Sequence, residues 1–552
     1  MQGTLNQVLA SDQIGFPILS LMVFLPLAGA VLLWVVPDRK AMKQITLGTV
    51  SLNFLFSLLL LALFEPGVAD MQFVEILSWI APMGANYHIG VDGISLWLIL
   101  LSTFLSILTV LFSWKMDTEH LREYLLCLLG LEFTLIGVFV AIDLILFFLF
   151  WEVMLIPMYF LIKIWGGTNR NYASLKFVLY TLVGSVLMLV GFAILALNYH
   201  DFAVAQKLPV SYSFSLIDLL KAPVPPRQQI LVFSLLFFGF AFKVPMVPFH
   251  TWLPDAHVEA PTTGSVMLAG LLLKMGTYGF VRFSLPLLPH AAQTFVPLIS
   301  VLAVIGIVYG AWLALAQDDI KKLIAYSSIS HLGFVMLGIF TLNRLGIAGG
   351  MIQMINHGIS TAGLFFVVGF LYERRHTRLI SEYGGLAKQV PILAAFYFFI
   401  SLSSMGMPGT NGFVGEFLII SGAFKSDWRY AAVAVGGVIL GAGYLLWLYQ
   451  RLMYGPLENP KNKILLDLDR REMAICMALT GIILWTGLFP GPFLKRMEGS
   501  IGFLTSRTET AAVAKNKKPF PLQPGLNTHP PSALRSHNVA QARPVSLKED
   551  TP

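Results

Sequence analysis

Glu152, Lys243, Lys274 and Glu416 each interrupt an apolar run long enough to cross a bilayer. A charge at membrane depth costs about 2.5–3.5 kcal/mol on insertion scales and marks either an ion or proton path or a buried ion pair. Two acids and two bases spread over separate runs favour a relay. Burial disfavours the charged form of Glu152 and of Lys243, whereas pairing them restores it. At about 4 Å and an effective dielectric of about 20, such a pair is worth roughly 4 kcal/mol. Moving a charge through 100 mV involves about 2.3 kcal/mol. Making and breaking that pair could therefore load or expel a proton, so the pair is expected to act as a switch. Lys274 has no carboxylate neighbour within its own helix and reads as the middle carrier. Glu416 follows a helix break and reads as the exit-side acceptor.

Further groups could join the relay. Glu132 in LLGLEFTLIGVFVAI is a fifth intramembrane charge, either a carrier or a packing partner. His331 and His357 lie at membrane depth between Lys274 and Glu416 in the chain. Imidazole titrates near neutral pH, so both suit bridging, although neutral packing histidines are the plainer alternative. Axial haem ligation would need facing histidines at matched depth, and no repeated pair within one helix supports it. His250, Asp255, His257 and Glu259 cluster at a helix connection, where capping, proton entry and a weak metal site all remain open.

The elements that must hold these groups are membrane helices. Of the 552 residues, 56% are hydrophobic and 12% charged, more apolar surface than a soluble core could hide. The chain has 42 Phe and 11 Trp, suited to lipid-facing and interfacial positions. Its two cysteines, Cys127 and Cys476, lie far apart, and no dense Cys/His cluster or CxxC supports iron–sulfur or structural zinc binding. No GxGxxG or P-loop follows a strand pattern, so nucleotide binding has no support. The net charge of +7 does not imply nucleic-acid binding, because the bases are unevenly placed. Energy must come from a gradient or from partner chains.

Apolar stretches of about 20 residues predict spans near 17–36, 45–64, 93–113, 122–141, 144–164, 174–197 and 229–249. Others follow near 261–284, 295–316, 322–341, 345–371, 391–424, 431–453 and 472–490. The first is too long for a cleaved signal peptide and is read as retained. Bases concentrate in loops after odd-numbered spans, and 65–92 has no Lys or Arg. The positive-inside rule then places both termini on the non-cytoplasmic side of a multi-pass protein, with a bacterial cytoplasmic (inner) membrane as the expected location.

Two spans are interrupted. Pro245 and Pro248 follow Lys243, and Pro408-Gly409-Thr410-Asn411-Gly412 precedes Glu416. Such breaks survive in lipid only when buried in protein or lining a wet cavity. They fall in the seventh and twelfth spans, which suggests two inverted five-helix repeats, each with its fourth helix broken. The expected fold is an all-α polytopic membrane protein of about 14 transmembrane helices. Its parts are three N-terminal helices (1–121), a first repeat (122–284), a second repeat (295–453), a last helix (472–490) and a disordered polar tail (505–552).

The segments FFLFWEVMLIPMYFLIKIWGG, FKVPMVPFHTWLPDAHVEAPTTGSVMLAGLLLKMGTYG, DDIKKLIAYSSISHLGFVMLGI and SLSSMGMPGTNGFVGEF resemble the NuoM-type membrane subunits of respiratory complex I, as does GVDGISLWLILLSTF. The resemblance covers about residues 15–490. It implies fourteen helices around a hydrated polar axis, with proton transfer by Glu152, Lys243, Lys274 and Glu416. Glutamate at the last position is characteristic of this type, where related subunits usually carry lysine. No long amphipathic helix is expected after the fourteenth span, which speaks against the NuoL type. The implied function is proton translocation within an NADH:quinone oxidoreductase. This chain would hold no cofactor, and NADH, FMN, iron–sulfur clusters and quinone would belong to partner subunits. The implied partners are antiporter-like neighbours on both sides within the membrane arm. There are two alternatives. One is the D-type component of a multisubunit sodium/proton antiporter, and the other is a structural scaffold whose charges serve packing alone.

Overall fold

The computed structural model describes residues 5–116, 118–209 and 212–516. Among these residues, twelve helices are long and apolar enough to cross a membrane. Broken seventh and twelfth spans bring the total to the fourteen expected. The seventh runs as Pro226–Lys243 and then Trp252–Glu259. The twelfth runs as Pro391–Ser404 and then Asn411–Ser426. Proline explains the first break, since Pro245 and Pro248 cannot donate to the helical ladder.

Burial sorts the spans into a core and a rim. The eighth (Thr262–Leu287) and eleventh (Arg344–Arg375) are 100% buried over their most apolar window, and the tenth (Ile320–Phe340) is 94% buried. The first (Ile18–Val35), second (Arg39–Leu63), sixth (Arg170–Ala205), ninth (Pro289–Leu315), thirteenth (Trp428–Met453) and fourteenth (Arg470–Leu488) are only 33–44% buried. The rim therefore presents apolar side chains to lipid, and the core helices can carry polar groups because protein encloses them.

Spans four to eight and nine to thirteen each contain five helices, so the second set enters the membrane from the side opposite to the first. The fourth member of each set is the broken one, as the spacing of breaks predicts.

Two features were not expected. The basic-poor segment after the second span folds as strands β2 (Met71–Ile80) and β3 (Ala85–Val91), paired antiparallel. A short strand β1 (Gln7–Leu9) adds to β2 in parallel. The sheet caps one end of the bundle, where Ile89 bridges Ala141 and Asp143 bridges Ser215. Secondly, a helix, Gly491–Asn516, follows the last span. The polar tail was expected to begin at 505 without structure, and no long helix was expected there. Buried Phe493, Met497, Ile501, Leu504 and Thr508 recur every three or four residues on one face of this helix. Its polar other face lowers the mean apolar content, so the segment reads as tail. The argument against the NuoL type therefore falls. Residues 517–552 of the expected tail lie outside the described residues.

A buried ion pair ties these parts together. Arg282, near the end of the eighth span, grips Asp92 with two guanidinium nitrogens, one at 3.1 Å. Its Nε donates to the Tyr278 hydroxyl at 3.0 Å, which in turn donates to the Phe139 carbonyl at 3.0 Å. Asp92 also accepts from the amides of Ile94 and Ser95 at the start of the third span (Ser95–Lys115). Breaking such a pair from one side leaves an uncompensated buried charge, so this junction holds the third, fourth (Leu121–Val140) and eighth spans in register.

In the sheet, His88 Nδ1 meets Ser215 Oγ at 3.0 Å and Nε2 meets Gln7 Oε1 at 3.1 Å. Burial holds the imidazole down at about 4, against a partial opposing pull from Asp218. The folded group binds its proton less readily than the unfolded one. Its contribution is therefore complete above about pH 6.5 and is lost as pH falls to about 4, worth about 3 kcal/mol in all. Thermal unfolding of the purified protein across that range should show the decline, and His88→Gln should flatten it.

Candidate functional site: a polar axis across the core

The sequence-predicted carriers of the second half converge. Lys274 Nζ lies 2.6 Å from His357 Nδ1 and also donates to the Ala269 carbonyl of its own helix. The His357 and His331 rings are 5.6 Å apart between centroids. His331 Nδ1 then lies 3.5 Å from Glu416 Oε1, while its Nε2 meets Ser404 Oγ at 3.3 Å. Four groups on the eighth, eleventh, tenth and twelfth spans thus lie in one line of neighbours, all buried. Between the two imidazoles is a gap that no hydrogen bond among the described residues closes. The eighth span widens into π-helical turns at Leu268–Leu272 and Phe280–Ser284, one on each side of Lys274. Such wide turns recur at functional positions because they let a helix bend without leaving its ladder.

The break in the twelfth span is built around Glu416. Gly406 has a φ of +73°, a conformation that costs L residues about 1–2 kcal/mol. A Cβ at this position would also collide with the Glu416 carboxylate. Asn356 Nδ2 donates to the Asn411 carbonyl at 2.6 Å, and the Asn411 side-chain oxygen accepts from Ser403 at 2.5 Å. Ser360 joins Ser403 at 2.7 Å. These bonds satisfy the polar side chains around the break, while the amides of Met405, Gly406 and Met407 close onto the Ser401, Ser403 and Leu402 carbonyls.

The first half differs from expectation. Glu152 and Lys243 form no ion pair within 4.0 Å. Lys243 Nζ sits instead over the rings of Trp151 and Phe177, at 5.2 and 5.5 Å from their centroids. Ring faces attract a desolvated ammonium, which compensates for the missing carboxylate contact. Glu152 lies against Ser185 and within electrostatic range of Lys243. It follows Trp151 at the joint between two helical segments, Leu144–Val153 and Leu155–Trp165. The two charges are neighbours but unpaired.

Glu132 joins none of these groups. Its Oε1 accepts from Asn53 at 3.0 Å, and the same Asn53 amide reaches the Met22 carbonyl at 3.1 Å. It therefore ties the first, second and fourth spans. The cluster at the helix connection also disperses. Asp255 pairs with Lys176 at 2.7 Å, and Glu259 accepts from the Asn169 amide at 2.9 Å. His257 is fully buried and stacks on Phe365 at 4.8 Å, with both ring nitrogens lacking a hydrogen-bond partner among the described residues. It lies within electrostatic range of Lys321, Lys274 and His357, so it belongs with the axis.

Sequence reading missed Gln353, Asn356 and Asn411. Gln353 stands four residues before His357, on the same helical face. Uncharged amides inside an apolar span were the available signal.

Residues 141–441 match the family model described as NADH:quinone oxidoreductase/Mrp antiporter, TM. A NADH-quinone oxidoreductase subunit M from Rhodobacter capsulatus is 46% identical over 481 residues, covering 86% of this chain and 93% of that protein. The chain belongs to the NADH-quinone oxidoreductase subunit M family. NADH-ubiquinone oxidoreductase chain 4 of Marchantia polymorpha is 42% identical, with 88% of this chain and 96% of that one covered. Among solved structures, respiratory complex I from Thermus thermophilus with bound NADH contains a chain superposing with a TM-score of 0.80. That chain is 32% identical, with 89% of this chain and 99% of it covered. A chain of the Mrp complex from Dietzia sp. DQ12-45-1b gives 0.76 at 20% identity, over 90% of this chain and 98% of that one, a likeness of fold alone.

Gly406 and Gly409 offer a matched test of the carboxylate seat. Both have positive φ, but a Cβ at Gly409 would meet only Leu488, at 4.0 Å. Both alanine variants should lose about 1–2 kcal/mol of stability through backbone strain. Gly406→Ala should in addition cut proton pumping by about tenfold, the equivalent of roughly 1.4 kcal/mol, through displacement of Glu416. Pumping in membrane vesicles, normalised to assembled complex, distinguishes the two.

Proposed function

We propose that this chain moves protons for an NADH:quinone oxidoreductase, with Lys274, His357, His331 and Glu416 as its transfer line. The observation that carries the reading is the buried run of neighbouring groups from Lys274 through His357 and His331 to Glu416. Redox chemistry belongs to partner subunits, where NADH, FMN, iron–sulfur clusters and quinone would bind. Here the work is electrostatic. Glu152 and Lys243, neighbours held apart, form the input switch. Closing their gap stabilises charge on Lys243, and opening it releases that charge toward Lys274. Buried atoms without protein partners, including Lys243 Nζ, Glu152 Oε1 and His357 Nε2, are where water can complete the path. His257 lies on the branch from the basic end of the bundle.

The neighbours in the assembly are other membrane-arm subunits, on both sides. Orientation follows the loop bases, which puts both chain ends on the non-cytoplasmic side of a bacterial inner membrane. The D-type component of a multisubunit sodium/proton antiporter is the second reading, supported only by the shared fold.

Two variants test the function. Lys243→Ala and Lys274→Ala should each lower NADH-driven quinone reduction and proton pumping by about tenfold or more. A native gel should show the complex assembled at its normal size. Full pumping by assembled Lys274→Ala would remove the line from the mechanism. Sodium-dependent exchange that survives without the redox subunits would favour the antiporter.

A further inference from the structure

Glu416 has two rival partners, and they approach the same oxygen. His331 Nδ1 and Gln353 Nε2 each stand 3.5 Å from Oε1. Neither contact has closed to the 2.7–2.9 Å typical of a charge-assisted hydrogen bond. One rival can carry a positive charge, and the other is neutral at every accessible pH.

Gln353 is held for this position. Its Oε1 accepts from Asn356 Nδ2 at 3.4 Å, and the same Asn356 amide is fixed to the Asn411 carbonyl. Gly415 makes room for it, since a Cβ there would strike the Gln353 side chain. With Oε1 engaged by Asn356, the amide group cannot flip, so Nε2 must face Glu416. On the other side, the missing Cβ of Gly406 leaves room for the second carboxylate oxygen. The carboxylate is therefore seated so that Oε1 alone chooses between a chargeable and a neutral donor.

We propose that Gln353 is a positioning residue for the last transfer in this line, a neutral resting partner that holds Glu416 while His331 is uncharged. When His331 gains a proton, Glu416 swings to it and the proton can pass. Once Glu416 has given that proton up to water beyond it, Gln353 takes the regenerated carboxylate back and the pair does not lock. The inference rests on the transfer line proposed above.

The test uses the intact complex in vesicles. Gln353→Met keeps length and packing but removes the donor. Gln353→Asn keeps the amide one methylene too short. Each should assemble and lower coupled turnover by about tenfold, the worth of one hydrogen bond to a charged group. Glu416→Gln should fall at least as far, and adding Gln353→Met to it should cost nothing more, because Gln353 acts through Glu416. Equal losses in both backgrounds, or failure of both Gln353 variants to assemble, would show a packing role and overturn the proposal. Unchanged turnover in Gln353→Met also overturns it. Unchanged turnover in Glu416→Gln instead defeats the transfer line itself, and the two failures are thereby told apart.

Discussion

The constraint on which this structure depends is the cost of a charge in hydrocarbon. Lys243, Lys274 and Glu416 are tolerable only where protein replaces water as their surroundings. The architecture answers with two shells. The spans that carry Lys274, His331 and His357 are almost wholly enclosed, whereas those of the rim give most of their surface to lipid. The twelfth turns Phe417 and Phe424 outward and keeps Glu416 on its buried face. Enclosure alone would leave the polar groups unpaired, so they are paired with one another. Lys274 uses His357 and a carbonyl of its own helix, and Glu416 is shared between His331 and Gln353.

Broken helices follow from the same constraint. A straight helix satisfies its backbone and offers only side chains, but a break frees backbone groups that must find partners in the core. At the twelfth span the turn amides find the Ser401, Ser403 and Leu402 carbonyls, Asn356 reaches the Asn411 carbonyl, and the bend at Gly406 passes close to the carboxylate. At the seventh span the break directly follows Lys243, whose ammonium is left among aromatic rings. One break thus seats its charge firmly and the other leaves it loosely held. That asymmetry suits a switch at one end and a defined acceptor at the other. The Arg282–Asp92 pair keeps the eighth span fixed against the third and fourth while these ends differ.

Much of this was legible in the chain because membrane helices leave a strong signal. Apolar runs placed all fourteen spans to within several residues, and prolines and glycines marked both breaks. Lys274, His331, His357 and Glu416 stood out as polar exceptions, and their convergence followed from sharing depth. Distances did not follow. The expected Glu152–Lys243 contact is absent because Trp151 and Phe177 offer the ammonium an alternative that no charge pattern reveals. Glu132 read as either a relay group or a packing partner, and one of its oxygens is held by Asn53, a neutral residue on a largely lipid-facing helix. Gln353 was passed over for a different reason, since an uncharged amide in an apolar span carries no charge to single it out as a carrier. The final helix was hidden by its own polar face.

The contact between Lys274 and His357 limits how the line can work. Both are bases, and they stand 2.6 Å apart. Two positive charges at that distance would repel by roughly 6 kcal/mol at an effective dielectric of about 20. That exceeds the 2.3 kcal/mol or so gained per charge from 100 mV. The pair therefore holds at most one excess proton. A carboxylate in place of His357 would have trapped the charge on Lys274, whereas a second base can take it over. From there the proton meets another imidazole and only then an acid. On the proposed line the order base, base, base, acid leaves the one carboxyl group for last, so a proton would pass three bases before it reaches Glu416.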